Sequence, residues 1–111
     1  MSLLQLSLIN LKGKIMNKIQ YLFRYNTKAT TFNYCFARNP NLTTIPANLF
    51  EYNKNSATHF LYTFRECSGI TSAVPDLWNT SKYPKVQYGN GCFTGCTKAA
   101  NYTSIPSSWK Q

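Results

Sequence analysis

The sequence contains few of the residues on which acid–base and nucleophilic catalysis depend. Its 111 residues include three acids, Glu51, Glu66 and Asp76, and a single histidine, His59. Nucleophilic catalysis requires a nucleophile, a base and an orienting acid close together, and no acid forms a recognisable pair with His59. The glycine-containing stretch GNGCFTG lacks the Lys-Ser/Thr ending of a phosphate-binding loop. We therefore expect no enzyme, no catalytic residue, no cofactor and no small-molecule substrate.

Long apolar runs are also missing. The leucines near the N terminus are interrupted by Gln5, Ser7 and Asn10, so no run approaches the roughly 18 residues that span a bilayer. Lys12 and Lys14 follow these leucines, whereas the basic residues of a secretory signal precede its apolar core. The sequence thus predicts neither a signal peptide nor membrane insertion.

Cysteines are few, and their spacing does not favour a metal site. Cys92 and Cys96 form one pair with a permissible spacing, but Cys35 and Cys67 stand alone, and a zinc site normally needs two pairs. Free cysteine behaves as a small hydrophobic residue in a core. We interpret all four as buried free thiols and expect no metal site, with a disulfide or a metal site as less favoured alternatives.

The sequence does contain an internal repeat. An aromatic column recurs after 28 and then 29 positions, at Phe36, Phe64 and Phe93. An Ile/Val-Pro step recurs after 29 and then 31 positions, beginning at Ile45, Val74 and Ile105. Short units of this kind bury their apolar faces only by packing on one another. The repeat therefore predicts that the recurring aromatic residues are core residues that stack on their counterparts.

The repeat also suggests local structure. The run Leu42–Ile45 is short and rich in β-branched residues, which favours a strand, and the proline that follows suits the first position of a helical turn. We expect the hydroxyl residues of this run and its counterparts to lie on the outer face of a small sheet. From this face we select three candidate partner-binding residues, Thr44, Ser72 and Ser104.

Three segments carry a resemblance to a known family. FNYCFARNPNLTTIPANLF, FLYTFRECSGITSAVPDLW and GCFTGCTKAANYTSIPSSW resemble the leucine-rich repeats of BspA-type proteins of bacteria and their phages. The resemblance is specific in the Phe, Leu-Thr and Ile-Pro columns. It implies an α/β fold, a short leucine-rich-repeat-like solenoid of about three units with small strands and helical turns. It also implies a protein that acts by binding.

We expect a single domain over residues 1–111. Apolar residues recur at helical spacing before the first unit, so residues 1–18 are predicted to form an N-terminal cap. Residues 19–104 are assigned to the repeats. Residues 105–111 are assigned to a C-terminal cap, with Trp109 closing the last layer.

Positive charge dominates the sequence. Twelve Lys and Arg residues face three acids, which gives a formal net charge of +9. Such an excess favours anionic partners. The repeat could gather Arg38, Arg65 and Lys98 along one edge, and these are our candidate contacts for a protein with an acidic or nucleic-acid-bearing surface. Direct binding to nucleic acid is a less favoured alternative, because the recurring Phe residues that could stack on bases are assigned to the core.

These expectations lead to one main functional hypothesis and two alternatives. The main hypothesis is a non-enzymatic protein-binding repeat module encoded by a phage or a bacterium. One alternative is a small phage-encoded inhibitor of a host defence nucleoprotein, such as a CRISPR effector. The other is a structural subunit of a virion or surface assembly. In each case we expect the protein in the host cytoplasm or associated with a virion.

Overall fold

A ladder of main-chain hydrogen bonds joins equivalent segments of the repeat. The computed structural model describes residues 19–111. Alternate residues from Phe32 to Arg38 donate their N–H groups to carbonyls of residues 59–65, with N–O distances of 2.7–3.0 Å. Alternate residues from Phe60 to Glu66 donate in the same way to residues 88–94. We call the segments 32–39, 60–67 and 89–96 the rung segments.

The predicted α/β solenoid, with its small strands and helical turns, is wrong. In the described part of the chain the β-structure is limited to two isolated parallel bridges, which link Thr31 to His59 and His59 to Tyr88. The helical elements with bounds in this part are three short 3-10 turns: Glu51–Asn53, Tyr102–Ser104 and Ser107–Trp109. The radius of gyration, 12.8 Å, is that of a compact domain of about 100 residues.

The backbone conformation of the rung segments explains why they are not strands. Two positions in each segment have a positive φ, and their residues are Tyr34, Arg38, Tyr62, Glu66, Gly91 and Gly95. A left-handed residue cannot continue an extended strand. The intervening N–H groups close turns within their own segment, as in the 3.1 Å bond from Cys35 to the Phe32 carbonyl. Each rung segment is therefore a series of consecutive turns.

The runs predicted as a small sheet make only scattered contacts with each other. The Thr71 N–H donates to the Thr43 carbonyl at 2.9 Å, and the Ala100 N–H donates to the Ser72 carbonyl at 3.1 Å. The Ile45 N–H is satisfied by a side chain, the hydroxyl of Ser72, at 3.0 Å. Without a continuous main-chain ladder these runs form no sheet, although they lie beside one another.

The aromatic core confirms the prediction made from the repeat. Phe36, Phe64 and Phe93 are buried, and their rings stack with centroid distances of 5.1 and 5.6 Å and interplanar angles of 1° and 5°. Trp109 continues the stack beyond Phe93 at 6.3 Å. Phe50 packs edge-on against the rings of this core. The aromatic columns are therefore the centre of the hydrophobic core.

Buried side-chain donors tie the rung segments together from inside. The Thr63 hydroxyl donates to the Phe32 carbonyl at 3.0 Å, and the Cys67 thiol donates to the Phe36 carbonyl at 3.0 Å. All four cysteines are free, as predicted, but Cys35 is exposed, so the expectation that all four are buried is wrong there. Cys35 is the only one of the four that could react without local opening of the fold.

The two ends of the chain differ in what can be said of them. The predicted N-terminal cap, residues 1–18, lies outside the described residues. At the other end, the N–H groups of Gly91 and Phe93 donate to the carbonyls of Ser108 and Trp109 at 3.0 and 2.8 Å. The last residues thus occupy the place that the next rung segment would take. No helix within residues 19–111 has the length and apolar character needed to cross a membrane.

Candidate partner-binding edge

The structure brings two of the predicted contact residues together around one carboxylate. Arg38 and Glu66 occupy equivalent positions, 28 residues apart, and both have a φ of about 60°. Arg38 Nε lies 3.4 Å from Glu66 Oε2, and Arg65 Nε lies 4.0 Å from Glu66 Oε1. The repeat is responsible for this arrangement, because it places residues of successive units side by side.

Two stacked tyrosines complete this site. The rings of Tyr34 and Tyr62 stack with a centroid distance of 5.2 Å, and Tyr34 is 58% exposed. The Arg65 guanidinium lies 5.4 Å from the centroid of the Tyr62 ring, within the range of a cation–π contact. We call Tyr34, Arg38, Tyr62, Arg65 and Glu66 the arginine edge.

A glycine in the next unit makes room for this stack. Gly91 is equivalent to Tyr62 and has a φ of +66°, and a Cβ atom on it would collide with the Tyr62 ring. Glycine adopts positive φ without the steric cost that other residues carry. The stack of Tyr34 on Tyr62 is thus supported from below by a position that only glycine fits well.

The electrostatics of the arginine edge leave it positive. One carboxylate faces two guanidinium groups, and the side chains of Arg38 and Glu66 are 74% and 51% exposed. Exposed ion pairs contribute only about 0–1 kcal/mol, so a partner's anion can replace Glu66 at little cost. Arg65 Nε is buried and has no hydrogen-bond acceptor in the described part of the chain. The edge can therefore bind an anionic group.

The remaining predicted contact residues lie apart from this cluster. Lys98 is exposed, and none of the ion pairs of residues 19–111 involves it. Thr44 and Ser104 are exposed, but Ser104 belongs to a 3-10 turn and not to a sheet. Ser72 is half-buried, and its hydroxyl also donates to the Ala73 carbonyl at 3.2 Å. Their roles in partner binding stay predictions, without the common sheet face that suggested three of them.

Sequence reasoning missed two parts of the arginine edge. Glu66 was interpreted as a solvated surface charge, and the tyrosines were assigned to the buried ladder. A signal for both was present, because Tyr34 and Tyr62 recur with the same 28-residue spacing that places Arg38 beside Glu66. Residues at one repeat position contact each other whether they are buried or exposed.

The single histidine belongs to a structural contact. The His59 ring lies 4.6 Å from the Tyr88 ring, and its Nδ1 is 2.6 Å from the Thr58 hydroxyl. In residues 19–111 no group of three or more His, Cys, Asp or Glu side chains is arranged to hold a metal ion. The arginine edge is thus the cluster of charged side chains that best suits a binding function.

Comparisons of this chain with protein-family models, with curated proteins and with solved structures find no match. The functional argument therefore depends on the contacts within the molecule.

Proposed function

We propose that this protein is a non-enzymatic protein-binding module that docks through its arginine edge on an acidic or nucleic-acid-bearing surface of a partner. The observation that carries the proposal is the meeting of Arg38 and Arg65 at Glu66, beside the exposed ring of Tyr34. Arginine forms forked hydrogen bonds to carboxylates and phosphates, so two arginines side by side suit such a surface.

The distribution of the acids supports this proposal. All three acids of the chain lie in the described part, and each already has a basic neighbour within 4.0 Å. Glu51 pairs with Lys54 at 2.7 Å, and Asp76 pairs with Lys82 at 3.1 Å. The chain therefore has no further acid with which to neutralise its charge of +9. Such a charge accelerates encounter with an anionic partner, over about 8 Å at physiological salt.

The rigidity of the edge supports it as well. Arg65 lies over Tyr62, which is held between Tyr34 and Gly91, and the backbone of Arg38 donates to the Arg65 carbonyl at 2.7 Å. Side chains that are already ordered lose less conformational entropy when they bind. This arrangement favours a defined contact over a diffuse electrostatic attraction.

The two alternative functions and the location stay predictions. An inhibitor of a host defence nucleoprotein acts as a free small protein and binds the effector loaded with its nucleic acid. A structural subunit co-purifies with its assembly in fixed stoichiometry. Both use an anionic partner surface, and both fit the host cytoplasm or the virion. The resemblance to BspA-type repeats implies a binding function and stays a prediction too.

The proposal is tested by capture of a partner from host lysate at rising salt, with the double variant Arg38→Ala/Arg65→Ala. We expect the variant to lose about 2–5 kcal/mol of affinity for the captured partner, chiefly through faster dissociation. The matched control is Lys28→Ala/Lys85→Ala, which removes the same charge from two other exposed positions. Equal retention by both double variants, or binding that salt does not weaken, contradicts the proposal.

A further inference from the structure

A groove crosses the loops of all three units, away from the residues of the arginine edge. It has a volume of about 550 Å³, which lies within the range of small-ligand sites. Each unit contributes to its lining: Glu51 from the first, Asp76, Trp78 and Tyr83 from the second, and Asn101 from the third. We call this feature the loop groove.

The loop groove has a charge opposite to that of the rest of the surface. Of the three acids in the chain, Glu51 and Asp76 line it, and Glu66 does not. The side chain of Lys82, which pairs with Asp76, is 62% exposed, and the side chain of Lys54, which pairs with Glu51, is 42% exposed. Exposed pairs of this kind contribute only about 0–1 kcal/mol. A cation that enters the groove can therefore take over their carboxylates.

A buried tyrosine with an unused hydroxyl adds an independent observation. Tyr83 is only 4% exposed, and its hydroxyl has no hydrogen-bond partner among the described side-chain contacts, yet the residue lines the groove. Burial, and then the charges of Asp76 and Glu51, raise the pKa of Tyr83 to about 12. The hydroxyl is thus within electrostatic range of both carboxylates, and a buried polar group normally has a partner.

An aromatic wall lies beside these polar groups. Trp78 lines the groove and, together with Tyr83, also lines an adjoining pocket of about 180 Å³. The Trp78 ring is fixed by edge-on contacts with Phe93 and Trp109, both at 6.1 Å. Arginine and lysine bury an apolar stem while their charged end stays in a polar environment, and cations are attracted to indole rings.

We propose that the loop groove binds an arginine side chain of a partner peptide. The guanidinium lies between Asp76 and Glu51 and donates a hydrogen bond to the Tyr83 hydroxyl, and the stem packs against Trp78. Arginine suits the site better than lysine because its planar fork can contact two carboxylates at once. This site is independent of the proposed function, because it takes a group of the opposite charge on other residues.

The test uses a blocked tripeptide, acetyl-Gly-Arg-Gly-amide, titrated into the full chain labelled with ¹⁵N. We expect a saturable shift of the Trp78 indole N–H resonance, which the Trp78→Phe variant identifies by its loss. Asp76→Asn should weaken this binding about tenfold, which corresponds to about 1.4 kcal/mol. Glu66→Gln, which removes the one acid outside the groove, is the matched control and should leave it unchanged.

Several outcomes overturn the proposal. One is an equal response to acetyl-Gly-Glu-Gly-amide or to a neutral disaccharide, and another is an equal loss of affinity in Asp76→Asn and Glu66→Gln. A third is the absence of any shift up to the solubility limit of the peptide. If thermal melting shows that Asp76→Asn is unfolded, Glu51→Gln takes its place, and it too should weaken binding where Glu66→Gln does not.

Discussion

The rung segments and the loops that connect them follow different rules. In the rung segments the two positive-φ positions, the ladder hydrogen bonds and the stacked rings recur from unit to unit. The loops 46–58 and 75–87 share little of this regularity. The first contains the 3-10 turn Glu51–Asn53, and the second contains turns with no named helical element. One regular ladder therefore supports loops of different structure.

The difference also separates the two candidate binding sites. The arginine edge is built on the rung segments, so its geometry follows from the repeat. The loop groove is built mainly from loop residues, so its chemistry can change without altering the ladder. The comparison teaches that stability and specificity are located in different parts of this small chain, and the variants below test that separation.

The largest effect is expected in the core of the rung segments. Phe64→Ala removes a fully buried ring that stacks on both Phe36 and Phe93, and it should cost about 3–5 kcal/mol of unfolding free energy. Thermal or denaturant unfolding measures this loss. The control Tyr52→Ala removes a loop ring that is 39% exposed and should cost far less. Similar losses in the two variants would show that rungs and loops contribute equally.

The next largest effect is expected at the glycine beneath the tyrosine stack. Gly91→Ala puts a Cβ atom on a residue with a φ of +66° and against the ring of Tyr62. Left-handed backbone strain and overpacking each cost about 1–3 kcal/mol. We expect a loss of about 2–4 kcal/mol in denaturant unfolding. The exposed neighbour Asn90→Ala is the control, and a loss as small as in that variant would mean that the stack yields easily.

A smaller effect should appear at high pH. Burial raises the pKa of Cys67 from 9.0 to about 11, so the thiol ionises in the unfolded chain first. A raised folded-state pKa contributes stability that is present below pH 9 and lost as the pH rises through 11. This loss should reach about 2 kcal/mol by pH 11. In Cys67→Ser, which keeps a hydroxyl donor for the Phe36 carbonyl, the fall in unfolding free energy should be shallower.

The smallest effect is expected from the ion pairs. Glu66→Gln in the rung segments and Lys82→Ala in the loop each break an exposed pair, and each should change the unfolding free energy by less than about 1 kcal/mol. The separation of roles predicts that Glu66→Gln nevertheless strengthens binding to an anionic partner, which titration calorimetry can measure. A loss of several kcal/mol in stability would instead make the arginine edge a structural feature.

The sequence predicted the side-chain columns better than the backbone that carries them. The spacing of Phe36, Phe64 and Phe93 was sufficient to predict their stacking, because equivalent residues of adjacent units pack on each other in any regular arrangement. Strands were the wrong prediction because the sign of φ is visible in only one unit. Gly91 and Gly95 reveal it there, whereas the equivalent residues of the other units carry side chains.

The candidate sites show the same division. The proximity of Arg38 and Arg65 followed from the repeat, but Glu66 between them was missed because a single acid looks like ordinary surface charge. The loop groove was not predicted at all. It depends on how Trp78 and Tyr83 fold within a loop that has no counterpart of the same length, and no periodicity fixes that.

The unequal spacing of the columns has a consequence for how the chain could change in length. The Phe columns are 28 and 29 residues apart, but the Ile/Val-Pro steps are 29 and 31 residues apart, so added residues have been absorbed outside the rung segments. A short peptide tag inserted between the exposed residues Thr80 and Ser81 should leave the fold intact. One residue inserted between Phe64 and Cys67 would shift every later rung out of alignment. The loops are thus where new sequence can enter this protein.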